Sequence, residues 1–182
     1  MINMKTFEKE KKYLTFLGIA TTLALALNIF IIVNACLNGE QSTGAANPIV
    51  EASKAVVNTF SPNAVNETNI NDFTILIRKL FGHFGLFAVD ALLTGWALFM
   101  WIKPLSWYKS YRFLYISLSY GAFLAALTEI IQVFIPGRSG QFTDSLIDFG
   151  GYIIGLLILN IILFFIFKKQ NKDKNNSGTQ PQ

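Results

Sequence analysis

The chain has 182 residues, of which 52% are hydrophobic and only 14% are charged, with a formal net charge of +4. Soluble domains carry about a quarter of charged residues, so this composition indicates a chain that faces lipid over most of its surface. It excludes an ordinary cytosolic enzyme and a nucleic-acid-binding module, and the single cysteine, Cys36, excludes an internal disulfide.

Four apolar stretches are each long enough to cross a bilayer, since about 20 apolar residues suffice. We predict membrane spans over residues 13–37, 80–102, 113–135 and 146–167. The fold class is therefore all-α, an integral membrane four-helix bundle over residues 13–167. A tail precedes it at residues 1–12, and a polar C-terminal tail at residues 168–182 is predicted to be disordered.

The first loop, residues 38–79, is long and is predicted to carry short interfacial helices. Pro48 suits the first position of a helix, and apolar residues then recur at helical spacing up to Ser61. We predict one short helix there, lying on the outer face of the membrane. A second turn and helix, over residues 69–80, would lead into the second span.

The basic residues predict the orientation of the spans. Most of the lysines and arginines lie in the two tails and in the second loop, around residues 103–112. Because cytoplasmic segments are enriched in lysine and arginine, we expect both termini in the cytoplasm and the first and third loops outside. Cys36 lies at the outer border, and Asn34 fits a lipoprotein cleavage box poorly, so we expect a retained anchor rather than a lipidated cysteine.

Polar side chains from four segments are predicted to converge on the outer leaflet. Ionisable groups within a membrane are costly, so they mark function or structural pairing. Spacings of three and four residues place Glu129 with Gln132, and Asp144 with Asp148, on single helix faces. The complete candidate set is Arg78, Lys79, His83, Glu129, Gln132, Arg138, Asp144 and Asp148.

Structural interpretations stay open for several of these residues. Glu129 and Arg138 could form a buried ion pair that fixes the third loop. Asp144 could cap the fourth span, because aspartate is favoured at helix N-caps, and His83 could lie among lipid headgroups. Asp90, nearer the middle of the membrane, is interpreted as a hydrogen-bonded packing residue or a proton-linked partner rather than a catalyst.

Four glycines are predicted to act in packing rather than in chemistry. Gly151 and Gly155 form a small-xxx-small face on the fourth span, which permits close approach of a neighbouring helix. Gly82 and Gly85 flank His83 and would let another backbone come near it.

A metal site is weakly indicated. A mixed nitrogen and oxygen ligand set could come from His83, Glu129, Asp144 and Asp148. The chain has one histidine, which argues against a zinc hydrolase and against a membrane phosphatase that uses two. P-loop and dinucleotide fingerprints are also absent, so we expect no metal and no other cofactor.

Three blocks of the sequence resemble the VanZ family of bacterial membrane proteins. They are residues 78–84 (RKLFGHF), residues 129–138 (EIIQVFIPGR), and the spaced run Asp144-x3-Asp148-x2-Gly151-x3-Gly155. Family members often carry asparagine where Asp148 stands. The family is named for resistance to the lipoglycopeptide teicoplanin. The resemblance implies a multi-pass cell-envelope protein of a bacterial membrane, without supplying a reaction.

The leading hypothesis is an outward-facing polar pocket that binds, and in its catalytic form modifies, a polar or lipid-linked surface molecule. In that form His83, Glu129 and Asp144 would perform acid–base chemistry. The substrate would be held by Arg78, Lys79, Gln132, Arg138 and Asp148.

The partners expected of such a protein are membrane lipids and a lipoglycopeptide or lipid-linked cell-wall molecule, not nucleic acid. The alternative is a non-catalytic binding or structural protein whose polar cluster is a fold-stabilising ion-pair network. A transporter is disfavoured, because four spans without inverted repeats make a poor pathway.

Overall fold

The structure is a computed structural model that describes residues 4–102 and 112–177, with side chains described from residue 10 to 102 and from 112 to 169. Every regular element in this part of the chain is helical, which confirms the all-α prediction. In chain order these are α1 (Met4–Ala35), α2 (Gly39–Phe60), α3 (Ile70–Ile77), a π-helical segment (Arg78–Gly85), α4 (Leu86–Ile102), α5 (Arg112–Val133) and α6 (Phe142–Ser177). The predicted second loop falls on residues 103–111, outside the described residues.

Within the described residues, four helical stretches are long and apolar enough to span a membrane, as the sequence predicted. They are Glu10–Ala35, Ile70–Ile102, Arg112–Val133 and Phe142–Lys169. The second stretch begins earlier than the predicted residue 80, because α3, the π-helical segment and α4 follow one another without interruption. No proline occurs between Pro62 and Pro104 to end a helix there.

The core of the bundle lies where α4 and α6 pack against each other and against α1 and α5. Phe87 and Ala91 of α4 are buried against Tyr152, Leu156 and Leu159 of α6. Large apolar side chains elsewhere on the same helices stay more than half exposed, among them Leu14, Phe16, Phe123, Phe164 and Phe165. Such a surface suits contact with acyl chains, since each helix satisfies its own backbone hydrogen bonds.

Two glycines of α6 permit its close approach to the second span. A Cβ atom at Gly151 would overlap the carbonyl oxygen of Phe84, and one at Gly155 would overlap that of Ala88. The predicted small-xxx-small face is therefore confirmed. The parallel interpretation of Gly82 is wrong, because a Cβ there would meet open space.

The first loop differs from its prediction at the start of α2. The helix begins at Gly39 rather than Pro48, because Asn38 and Gln41 form a reciprocal capping box, with N···O distances of 2.9 and 3.1 Å. Pro48 lies within the helix, where it removes one backbone donor. The predicted end is confirmed, since α2 stops at Phe60 and is capped by Ser61.

Two further predictions concern the helix before the second span and the C-terminal end of the chain. The predicted helix after residue 69 is confirmed by α3, which begins at Ile70 and leads into the second span. α6 continues to Ser177, beyond residue 167 where the fourth span is predicted to end. The sequence contains no glycine or proline between Phe167 and Gly178, so nothing in it stops a helix that is already formed.

A backbone contact joins α2 to the loop between α5 and α6. The Gly39 amide donates to the Pro136 carbonyl over 3.2 Å, and a Cβ atom at Gly39 would overlap the Gly137 carbonyl oxygen. Gly137 itself has φ of 71°, a conformation that favours glycine. This contact fixes the loop that carries Arg138 against the beginning of α2.

Candidate functional site

The π-helical segment supplies three of the candidate residues, Arg78, Lys79 and His83. In this geometry each amide pairs with the fifth residue back, and such segments occur frequently at functional sites. The Leu86 amide accordingly contacts the Phe81 carbonyl as the chain returns to α-helical geometry. The segment packs against α6, and Lys79 and His83 contact aspartates near the start of the fourth span.

His83 lies at the centre of a cluster of three carboxylates. Its Nδ1 is hydrogen-bonded to Asp148 Oδ1 at 3.0 Å and lies 4.0 Å from Glu129 Oε1. Its Nε2 lies 3.9 Å from Asp144 Oδ2. The structure therefore brings together residues from the π-helical segment, α5 and α6 that the sequence placed in one leaflet. The catalytic and substrate-binding roles given to them stay predictions.

Asp144 is held by Lys79 rather than acting as a helix cap. Lys79 Nζ lies 2.6 Å from Asp144 Oδ1, and the Asp144 carboxylate is largely buried. The N-cap interpretation is wrong, because α6 begins at Phe142 and places Asp144 within its first turn. A negative charge there still interacts favourably with the helix dipole.

Glu129 does not form an ion pair with Arg138, the structural interpretation that the sequence left open. Its Oε2 accepts a hydrogen bond of 2.8 Å from the backbone amide of Gln141, and the basic side chain that lies within 4.0 Å of it among the described residues is His83. The reason is the path of the loop. A Cβ atom at Gly140 would overlap the Glu129 carbonyl oxygen, so the backbone of the loop, rather than a guanidinium, comes against the end of α5.

A cavity of about 230 Å³ opens beside this cluster. Its polar lining consists of Ser42, Arg78, His83, Thr128, Gln132, Arg138 and Asp148, with the amide of Asn34. Aromatic and aliphatic side chains complete the walls, among them Phe30, Ile31, Ile49, Phe81 and Phe87. Lys79, Glu129 and Asp144 do not line the cavity. The other five candidate residues form part of its wall, and these three charged residues lie behind it.

Two guanidinium groups face this cavity. Arg78 Nη2 donates to Ser42 Oγ over 3.1 Å. Arg138 Nη1 is buried and has no hydrogen-bond partner within residues 10–102 and 112–169. Burial and the neighbouring Arg78 charge lower the pKa of Arg138, although an arginine stays protonated in proteins. Positive charge is therefore concentrated at one side of the cavity.

Sequence reasoning missed Ser42, which is buried and fixes Arg78. A helix that begins at Pro48, as the sequence predicts, leaves Ser42 outside it, whereas α2 begins at Gly39 and contains Ser42. The capping pair Asn38 and Gln41 was the signal that would have placed it on a helix facing the site.

A separate polar group lies deeper in the bundle. Asn28 of α1 donates from Nδ2 to Asp90 Oδ1 at 3.0 Å and to Thr94 Oγ1 at 3.0 Å. Tyr120 of α5 donates its hydroxyl to Asn28 Oδ1, and Thr94 donates to Asp90 over 2.8 Å. Asp90 is thus a hydrogen-bonded packing residue, as one of its two interpretations stated, and the side chain of Asn28 joins α1 to α4 and α5.

The cluster and the cavity beside it offer three kinds of chemistry. His83 between carboxylates can hold and move a proton, and the paired guanidiniums can bind an anion. One donor atom from each of His83, Glu129 and Asp148 also lies within 4.8 Å of the other two, a spacing that could hold a metal ion. Asp144, which the sequence grouped with these three as a possible ligand, is held by Lys79 instead.

The comparison with protein families agrees with the resemblance read from the sequence blocks. The model of the family described as VanZ/LLP1 matches residues 16–167. This interval contains the membrane-spanning stretches almost completely, together with every candidate residue. No curated protein and no solved structure matches the chain. Because the family model covers most of its length, the chain belongs to the VanZ/LLP1 family.

Proposed function

We propose that this VanZ-like membrane protein binds the anionic headgroup of a membrane-embedded amphiphile in the cavity beside His83. The observation that carries the proposal is the half-buried side chain of Arg138, whose buried Nη1 atom has no hydrogen-bond partner among the described residues, next to Arg78. The protein would sit in a bacterial cell membrane with both termini in the cytoplasm, so that the cavity faces outward.

The charge of the cavity supports an anionic ligand. A buried N–H group without a hydrogen-bond partner costs about 1–3 kcal/mol, and more when the group is charged, and the charge of Arg78 nearby adds to the cost. A phosphate or carboxylate would relieve it, because the guanidinium fork matches these groups with two parallel hydrogen bonds. Gln132 and Ser42, which also line the cavity, offer further polar contacts to such a group.

The apolar walls support a ligand with a hydrocarbon part. Phe30, Ile31 and Ile49 come from α1 and α2, and Phe81 and Phe87 come from the second span. A ligand that combines a charged head with such a chain is a lipid-linked cell-wall molecule or an acylated glycopeptide. We propose that capture of one of these at the membrane surface underlies a role in teicoplanin-type resistance.

A catalytic form of this proposal assigns the chemistry to His83. Asp148 would fix the orientation of the imidazole through the 3.0 Å contact at Nδ1, leaving Nε2 to exchange a proton with the bound molecule. Glu129 and Asp144, at 4.0 and 3.9 Å from the ring nitrogens, would stabilise the protonated ring. His83 also lines the cavity, so a bound headgroup lies within its reach.

Binding of a polyprenyl phosphate to the purified full-length chain in detergent tests the proposal. The neutral polyprenol is the matched ligand control. We expect the phosphate to bind at least about tenfold more tightly than the alcohol, because a charge-assisted hydrogen bond contributes about 1.5–3 kcal/mol. The Arg138→Met variant should lose this preference. Equal affinity of the intact protein for both ligands would contradict the proposal.

A second candidate function is a non-catalytic structural lock. It is favoured by the contacts of Lys79 with Asp144 and of His83 with Asp148, which join the π-helical segment to α6. The variants His83→Ala, Glu129→Gln and Asp144→Asn separate the two ideas. If all three reach the membrane in normal amounts and still confer teicoplanin resistance, catalysis by this cluster is excluded. A lock predicts a lower protein level or melting temperature instead.

A further inference from the structure

We propose that His83, Glu129 and Asp148 form a binding site for one divalent transition-metal cation, of the zinc or manganese class, in the wall of the cavity. The sequence favoured no metal, because its spacing shows no metal-binding motif. The inference rests on contacts between three helical segments, which spacing does not reveal. It goes beyond the anion binding proposed above and does not depend on it.

The donor atoms are spaced for a single ion. In a tetrahedral site with ligands about 2.1 Å from the metal, the ligand atoms lie about 3.4 Å from one another. His83 Nδ1 lies 3.0 Å from Asp148 Oδ1 and 4.0 Å from Glu129 Oε1, distances on either side of that value. All three donor atoms lie within 4.8 Å of one another. Small side-chain rotations would therefore complete the site.

The burial of the two carboxylates is a second, independent reason to infer a bound cation. The side chain of Glu129 is 7% exposed, and that of Asp148 is 1% exposed. Glu129 Oε1 is buried and has no hydrogen-bond partner in the part of the chain that the structure describes, and it points toward the histidine. Two buried carboxylates beside one imidazole need positive charge, and a dication would supply it.

The neighbouring contacts hold the ligands in place. The backbone amide of Gln141 donates to Glu129 Oε2 and so leaves Oε1 turned toward His83. Such outer contacts orient the ligands of metal sites. Asp144 stands on the other side of the imidazole, near Nε2, and is already paired with Lys79. The set is thus one nitrogen and two carboxylates, which suits Zn²⁺ or Mn²⁺ better than Mg²⁺ or Ca²⁺.

The position of the site gives the cation a free coordination direction. His83 and Asp148 both line the cavity, whereas Glu129 closes the site from behind. An open position on the cavity side is the arrangement found in metal sites that take up a further ligand. The cation would therefore contact whatever oxygen atom enters the cavity, including that of a water molecule.

The test uses the full-length chain in detergent, stripped with a chelator and then titrated with Mn²⁺ alone. Electron paramagnetic resonance counts the bound ions, and electron spin echo modulation detects a ¹⁴N coupling when an imidazole coordinates Mn²⁺. We expect one ion per chain with a single imidazole nitrogen. Bound Mn²⁺ without that nitrogen coupling, or no saturable binding by the intact protein, would overturn the proposal regardless of any variant.

Variants then assign the ligands. Glu129→Gln and Asp148→Asn keep the side-chain shape, and each should weaken Mn²⁺ binding by more than the roughly 10–100-fold typical of outer contacts. Asp90→Asn is the matched control, because it removes a buried carboxylate outside the cluster, and binding should be unchanged. Equal affinity of Glu129→Gln and the intact protein would refute the site. No anionic ligand is present, so this test and that of the proposed function can fail separately.

Discussion

Lys79 Nζ lies 2.6 Å from Asp144 Oδ1, and this ion pair connects the π-helical segment to the first turn of α6. The same aspartate turns its second oxygen toward His83 Nε2. Lys79 therefore neutralises one carboxylate of the cluster while it remains about a third exposed. The negative charges of Glu129 and Asp148 are not neutralised by Lys79. A protonated His83 or a bound cation would have to neutralise them.

We predict that Lys79→Met lowers the free energy of unfolding by about 1 kcal/mol or less. The pair is partly exposed, and exposed ion pairs contribute about 0.2–1 kcal/mol. Unfolding of the full-length chain in mixed detergent micelles measures the change.

The matching variant Asp144→Asn and the double variant complete a thermodynamic cycle. A coupling energy well above 1 kcal/mol would show that the Lys79–Asp144 pair behaves as a buried one, and a coupling of zero would show that the contact has no energetic role.

Arg138→Met is predicted to keep or raise the melting temperature while it abolishes the preference for a phosphate ligand. The variant removes a half-buried charge whose buried Nη1 has no hydrogen-bond partner among the described residues, and replacement of a poorly solvated charge by an apolar side chain is often neutral or stabilising. Thermal unfolding in detergent, without added ligand, measures the first effect. A large loss of stability would instead assign Arg138 to a structural network.

The sequence predicted the four spans and the convergence of polar residues because both follow from local pattern. Span length and apolar runs need no knowledge of neighbours, and the spacing of Asp144 and Asp148 fixes their shared face. The interpretation of Glu129 and Arg138 as an ion pair, which the sequence left open, is wrong for the opposite reason. Opposite charges near in sequence suggest a contact, but the close backbone approach at Gly140 brings the Gln141 amide to Glu129 instead.

Partners that depend on tertiary packing were beyond sequence reasoning. Asn28 lies in the first span, and nothing in the neighbouring sequence indicates that it meets Asp90 and Tyr120. The open space around Gly82 is a second example of packing that the sequence does not reveal. A glycine beside a functional residue suggests a close contact, yet the contact was made by Gly151 on another helix.

Gly151→Ala is predicted to destabilise the fold by about 1–3 kcal/mol, the usual cost of overpacking. Its added methyl would overlap the Phe84 carbonyl oxygen, which belongs to backbone and cannot rotate away. Gly150→Ala is the matched control on the preceding residue, where a Cβ meets open space. That variant should be neutral or stabilising by up to about 1 kcal/mol. Equal effects of the two in thermal unfolding would contradict the close packing of α6 on the π-helical segment.

Asn28→Leu is predicted to lower the free energy of unfolding by about 1–3 kcal/mol, the cost of leaving buried polar groups without partners. The variant removes the donor to Asp90 and Thr94 and the acceptor for Tyr120. Unfolding in mixed detergent micelles measures the loss.

Asn160→Leu is the control, since the Asn160 amide donates to the Leu156 carbonyl of its own helix and the residue is exposed on α6. A leucine there faces lipid and should leave the stability unchanged or raised. If the two leucine variants unfold alike, hydrogen bonding at Asn28 does not hold α1 to α4 and α5.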